Sequence, residues 1–197
     1  MPRQLRMVRP NLDGLPEIRV PDGYDIRTYE EGDDVHWVNV INTSFNTTFT
    51  LKDFYNDIGR ESLFNPEGLF FATCQGIPVA TTYARVLEPG ESEMGSVHMV
   101  AVTPEHTGQR LGTSVTLCAL HFFQQRDFKC AILGTDDFRL PAIKTYLNLD
   151  FVPVCIDGDQ PGRWNKVFLK LGLPVMSDPS DTLKSMFSEE LWAKISS

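Results

Sequence analysis

One stretch of the chain constrains its architecture more than any other. Ser96–Val102 is apolar on both faces apart from His98, and after a short turn a helical pattern runs from Gln109 to Gln125 with no Asp, Glu, Lys or Arg beyond Arg110. A strand with two apolar faces must be covered on both sides, and a helix with so little charge cannot turn a broad face to water. Strand and helix therefore belong to the interior of a domain in which helices pack on a sheet. At 197 residues and 22.3 kDa the chain is long enough for this, since roughly 70% of the unfolded surface is buried at that size.

The remaining elements fit around that pair. Pro10, Pro16 and Pro21 punctuate residues 1–23, which read as an N-terminal arm outside regular structure, because proline fixes φ and lacks an N–H. Tyr24–Tyr29 reads as a strand. Asp33 and Asp34 offer N-cap oxygens to a helix that turns Val35, Val38, Ile41 and Phe45 inward. Thr50 and Asp53 resemble a capping box, opening a second helix with Leu51, Phe54, Tyr55 and Ile58 on its apolar face. Gly68–Cys74 and Ile77–Val86 are strands joined by Gln75-Gly76, a hairpin signal. Beyond the central helix come a strand over Lys129–Gly134, a helix over Pro141–Leu149, a strand over Phe151–Ile156 and a last strand over Trp164–Leu171 that closes the sheet. The order predicts a single α/β domain with a mixed sheet over residues 24–173. In the tail, residues 174–197, the spacing of Leu183, Met186, Phe187, Leu191 and Trp192 predicts short amphipathic helices packed back on the domain.

Composition then excludes whole classes of function. With 42% hydrophobic and 22% charged residues the chain is not globally disordered. A net charge of −8 and a pI near 5.0 argue against a nucleic-acid binder. No uninterrupted apolar segment reads as a membrane span or follows the N-terminal arginines as a leader, so a soluble cytoplasmic protein is expected. Cys74, Cys118, Cys130 and Cys155 lie far apart, without metal-ligand spacing to any histidine. They read as free buried thiols in a reducing compartment, and no metal is expected.

Chemistry shows most clearly in Val100-Ala-Val-Thr-Pro-Glu-His-Thr-Gly-Gln-Arg-Leu-Gly-Thr113. A buried strand ends, Pro104 and Gly108 make a turn, and a helix begins near Gln109. Such a junction leaves backbone N–H groups without partners at the positive end of the helix dipole, which suits a pyrophosphate. Gly108 and Gly112 permit close approach, and Arg110 adds a charge. Neither a Walker A nor a Rossmann glycine pattern is present. By itself the segment reads either as an anion cradle or as a plain loop between strand and helix.

The same segment resembles the acetyl-CoA-binding motif of the GNAT superfamily of N-acetyltransferases, a strand ending Val-x-Pro followed by Arg/Gln-x-x-Gly-x-Gly/Ala. A second resemblance lies downstream, where Arg139-Leu-Pro-Ala-Ile-Lys-Thr-Tyr-Leu-Asn-Leu-Asp-Phe151 is similar to Asn-x-x-Ala-x-x-Leu-Tyr-x-x-x-Gly-Phe, with Ala142, Tyr146 and Phe151 in register. The order of elements agrees over about three quarters of the chain. Thr107 stands in place of the first Arg/Gln, Arg110 of the first Gly, Arg139 of the usual Asn and Asp150 of the Gly before Phe151. The resemblance implies a GNAT-like fold with a splayed mixed sheet. It also implies acetyl-CoA as co-substrate, held by Val100, Ala101 and Val102, by Thr107, Gly108, Gln109, Arg110, Leu111, Gly112 and Thr113, and by Arg139, Ala142 and Tyr146.

Three residues are candidates for catalysis under that resemblance. Tyr146 falls where the family keeps a tyrosine near the CoA sulfur and would act as general acid, or else is a core tyrosine sharing a helix face with Ile143 and Leu147. His98, alone among titratable side chains in its strand and on one face with residues 100 and 102 by the period of two, would take the proton of the acceptor amine, or else is a satisfied core histidine. Glu93, with Glu91, is the rival base. The implied function is transfer of an acetyl group to a primary amine of a small molecule or peptide, directly within a ternary complex. The alternative is a non-catalytic acyl-CoA-binding or sensing module of the same fold, or a structural domain keeping only the fold. Nucleic acid and membrane are not expected partners; a homodimer is compatible with the reading.

Overall fold

The computed structural model describes residues 3–58, 64–88, 90, 91, 93–175 and 180–197. Seven strands and seven helices are formed there, in two compact units, one of residues 12–128 and one of residues 1–11 with 129–197.

The unit of residues 12–128 is built on an antiparallel sheet of β2 (Tyr24–Thr28), β3 (Leu69–Cys74), β4 (Ile77–Val86) and β5 (Met94–Val102), in that spatial order. Gln75 and Gly76 both have positive φ (52° and 79°), the two-residue hairpin geometry that matches strand twist. One face is covered by α1 (Asp33–Phe45) and α2 (Leu51–Asp57), whose Trp37, Val40, Ile41 and Phe54 pack with Leu69, Phe71, Tyr83 and Ala101. On the other face α3 (Leu111–Gln124) lays Leu111 and Val115 against Ala72, Val79 and Ala80. The uncharged helix is thus buried along most of its length, as its composition requires.

Local details differ from expectation where a neighbour outranks periodicity. Val35, Leu51 and Tyr55 are exposed, and Trp37 and Val40 take the inward positions on α1. The N-cap of α1 is Gly32 rather than either aspartate; the Asp33 carboxylate accepts instead from the Glu30 N–H (2.7 Å) and from Arg27. Burial pushes that carboxyl up, but the Arg27 guanidinium and the Glu30 N–H outweigh it and hold the group below its ordinary value. At α2 the expected capping pair forms, with Thr50 N–H and Oγ1–H both donating to Asp53 Oδ2 at 2.7 Å.

The second unit has β1 (Leu5–Arg9) at its centre, antiparallel to β6 (Cys130–Thr135) on one side and to β7 (Val152–Val154) on the other. Residues 5–9 are therefore a central strand, not part of an irregular arm; Leu5, Met7, Val8 and Arg9 are all buried. Pro10 begins the stretch where the irregular reading holds as far as Asp22. The segment read as a closing strand is also corrected: Gln160–Lys170 is helix α5, with Trp164 and Val167 on its buried side. Gln160 fixes its start, accepting from Ile156 N–H (2.8 Å) and donating to the Gln4 carbonyl (3.4 Å). α4 spans Leu140–Asn148 with Pro141 in its first turn. The tail forms α6 (Ser180–Lys184) and α7 (Glu189–Ser196), burying Leu183, Leu191 and Ile195 while Met186 is exposed; residues 176–179 lie outside the described residues. Arg6 donates to the Ile195 carbonyl (2.8 Å), tying α7 to β1.

Candidate active site

The cradle is assembled from the end of β5 and the start of α3. Thr103 leaves the strand, a single 3-10 turn follows at Pro104–His106, and Thr107–Arg110 are exposed. Gly108 has φ 79°, and Arg110, the N-cap of α3, has φ 60° with no side-chain cap. The left-handed region is where a glycine is unstrained, so Arg110 occupies a backbone site that explains why the family motif has glycine there. The first ladder bond of α3 runs from Ser114 N–H to the Arg110 carbonyl (3.1 Å), so the N–H groups of Leu111, Gly112 and Thr113 lie ahead of it. A Cβ on Gly112 would stand 3.7 Å from Val102 Cγ2, which brings the strand and helix halves of the motif into contact. The hydroxyl of the buried Thr103 has no hydrogen-bond partner among the described residues. Arg110 is exposed and has no ion-pair partner among them. These features fit an anionic ligand that runs along β5 to the helix start.

β5 itself is irregular at one place. Tyr83 pairs with His98 and Thr81 with Ala101, so Met99 and Val100 together face the single residue Thr82, and Met99 has φ 51°. This is a β-bulge. It breaks the period of two: Val100 and Val102 pack on the α3 face, whereas Ala101 packs on the α1–α2 face and His98 reaches α2 there. His98 therefore does not share a face with residues 100 and 102, contrary to the alternation expected. Its Nε2 lies 3.0 Å from Asp57 Oδ2, at the last turn of α2. Asp57 is the functional candidate that the sequence reading missed. The two are far apart in sequence, and the bulge that turns His98 toward it has no glycine to announce it. In the loop ahead of β5, Glu91 accepts from the Glu93 N–H (2.8 Å) and the Met94 N–H (3.3 Å), while Glu93 is half-buried; Pro89 and Ser92 of that loop lie outside the described residues.

The downstream motif lies in the other unit. Tyr146 is buried on α4, edge-on to Phe151 with ring centroids 5.9 Å apart. Burial pushes its phenol up to about 12, partly opposed by the charge of Arg139. Ala142 is half-buried one turn earlier. Arg139, the N-cap, donates from Nε to Asp136 Oδ2 (2.9 Å), so its charge is already partnered by a carboxylate. At the far end of α4, Phe151 N–H bonds to the Tyr146 carbonyl (3.0 Å) and Asp150 N–H to the Leu147 carbonyl (3.1 Å), a Schellman cap with Asp150 at φ 58°. The aspartate sits where the family has glycine because the buried Arg9 holds it, bonding both its carboxylate (3.0 Å) and the Leu149 carbonyl. Of the cysteines, Cys118 and Cys130 are buried and Cys74 and Cys155 half-buried, none of the four in a disulfide; burial pushes Cys118 up to about 12, so it is protonated at neutral pH.

Comparison with known proteins bears on the family and the fold. The Acetyltransferase (GNAT) family matches residues 35–151. A mycothiol acetyltransferase from Thermomonospora curvata is 34% identical over 160 residues, covering 78% of this chain and 52% of that protein. Another from Nocardia farcinica is 33% identical over 153 residues, 73% of this chain and 50% of that one. The chain thus spans about half the length of the curated relatives it matches. A crystal structure of a GCN5-related N-acetyltransferase from Sphaerobacter thermophilus superposes with a TM-score of 0.61 at 18% identity, covering 77% of this chain and 49% of that one, and so shares the fold. With the family matching more than half of its residues and a relative above 30% identity, the chain belongs to the GNAT family of acetyltransferases.

Proposed function

We propose that this chain transfers an acetyl group from acetyl-CoA to a primary amine, with a small molecule or peptide as acceptor. The observation that carries the reading is the β5–α3 junction: left-handed Arg110, open backbone at Gly108 and Gly112, and helix N–H groups ahead of the first ladder bond. Acetyl-CoA supplies the thioester. The N–H groups of Leu111, Gly112 and Thr113 hold its pyrophosphate with Arg110 alongside, and the backbone of Val100–Val102 pairs with its arm. At the bulge the N–H of Val100 lies outside the regular β4–β5 register and polarises the thioester carbonyl.

His98 takes the proton of the attacking amine, with Glu93 as the rival through water. As the C–N bond forms and the C–S bond breaks, Tyr146 gives its hydroxyl proton to the sulfur. Transfer is direct, without an acyl-enzyme: neither motif segment, residues 100–113 or 139–151, contains a cysteine, and Cys118 is held as the neutral thiol. Among the described residues no helix is long and apolar enough to cross a membrane, and a cytoplasmic location, with a homodimer as an admissible assembly, is part of this proposal.

The test is steady-state CoA release from acetyl-CoA against a panel of primary amines, with mass spectrometry of the products. Mycothiol-type acceptors belong in the panel because the similar curated proteins are mycothiol acetyltransferases. An N-acetylated amine formed in step with free CoA supports the proposal. An acetyl group trapped on a cysteine during turnover contradicts direct transfer, and binding of acetyl-CoA without turnover of any amine favours a sensing module.

A further inference from the structure

We infer that Asp57 is a positioning residue that holds His98 as its Nε2–H tautomer, leaving Nδ1 as the nitrogen that accepts the proton of the acceptor amine. The inference rests on the reading of His98 as the base and goes further, by naming the atom and the residue that selects it.

The argument is one of hydrogen-bond chemistry. His98 Nε2 faces Asp57 Oδ2 at 3.0 Å, with the two side chains 24% and 28% exposed. An ionised carboxylate offers only lone pairs, so the nitrogen that faces it carries the hydrogen. In a neutral imidazole the other nitrogen is then the one with the free lone pair. That nitrogen, Nδ1, belongs to a side chain that is partly exposed and has no hydrogen-bond partner among the described residues. A ring whose Nδ1 carried the hydrogen would set two lone pairs against each other across the 3.0 Å contact.

The surroundings keep Asp57 in the role of acceptor. Arg85 on β4 places Nη1 3.9 Å from Asp57 Oδ1, the oxygen that His98 does not use. Tyr83, opposite His98 in the strand register, has its hydroxyl engaged as acceptor from the Asn65 N–H (3.2 Å). Asp57 closes α2, and the bulge at Met99 turns His98 onto that helix, so two separate backbone features converge on this one contact.

The experiment combines ring-nitrogen NMR with kinetics on the full chain. The protein is labelled with ring-15N histidine, and His98 is assigned among the four histidines by loss of its signals in His98→Gln. The wild type is expected to show the Nε2–H pattern for neutral His98. Asp57→Asn, whose amide can also donate, is expected to shift His98 toward Nδ1–H and to lower kcat on the order of tenfold or more, with KM for acetyl-CoA unchanged. Arg85→Gln is expected to leave the tautomer as it is. The kcat loss of Asp57→Asn should vanish in a His98→Gln background, since Asp57 acts through that ring.

Full kcat in Asp57→Asn beside a defective His98→Gln overturns this inference and leaves His98 as base. Full kcat in His98→Gln overturns both. If Asp57→Asn is too unstable to assay, the wild-type spectrum alone decides, and an Nδ1–H pattern there overturns the inference.

Discussion

At the scale of single residues, Tyr146 holds the acid role in the proposed reaction. It is buried, its phenol is pushed up to about 12, and it is therefore fully protonated at neutral pH, the state a proton donor needs. Tyr146→Phe is expected to keep the fold and the affinity for acetyl-CoA and to lower kcat on the order of 10²-fold, measured by initial rates of CoA release; an undiminished kcat would remove Tyr146 from the reaction. The same burial makes a stability prediction. A phenol at about 12 in the folded chain, against about 10 unfolded, contributes stability that is complete below pH 10 and lost as pH rises toward 12, because the native state retains a proton that the unfolded state releases. Urea unfolding at pH 9 and pH 11 should show a smaller decline for Tyr146→Phe than for the wild type, and an equal decline would contradict the assignment. Residues were also where the sequence was clearest: Arg110 and Asp150 stand in place of motif glycines, and both have the positive φ that glycine would supply. What could not be read is why they are tolerated. For Asp150 the reason is Arg9, which approaches from a strand near the other end of the chain.

At the scale of elements, α3 on β5 shows how closely the central helix is seated. A Cβ built on Gly95 falls 2.3 Å from the Phe123 ring, so no side chain fits there unless the ring moves. Gly95→Ala is expected to destabilise the protein by ~1–3 kcal/mol, the usual cost of overpacking, read from chemical denaturation. In a Phe123→Leu background the added cost should shrink because the two sites share the same space, and strict additivity would contradict the packing described. The elements legible in the sequence were those defined by their own residues: the Gln75-Gly76 hairpin, the Thr50–Asp53 cap, the uncharged α3. The two that were misread depend on partners. β1 is a short segment whose central place comes from pairing with residues 131–135 and 152–154, and nothing local marks that. α5 has Trp164 and Val167 at helical spacing, but its start is set by Gln160 reaching Ile156 and Gln4. The bulge at Met99 likewise left no mark in the sequence, and it decides which face His98 occupies.

At the scale of the whole molecule, the two ordered motifs place the chain in its family, and the family match over residues 35–151 contains both of them. Composition alone could only exclude classes. Identity of the acceptor was not legible, since the motifs that resemble the family describe the acyl donor's side. The transferase and the sensing module both depend on the β5–α3 junction holding acetyl-CoA. Gly112→Glu probes this with little risk to the fold: a Cβ has ordinary room there, and an acidic side chain in the first turn favours the helix. Isothermal titration calorimetry with acetyl-CoA is expected to show binding to the wild type and loss of most of the affinity in a folded Gly112→Glu variant. Unchanged affinity in that folded variant would contradict the account.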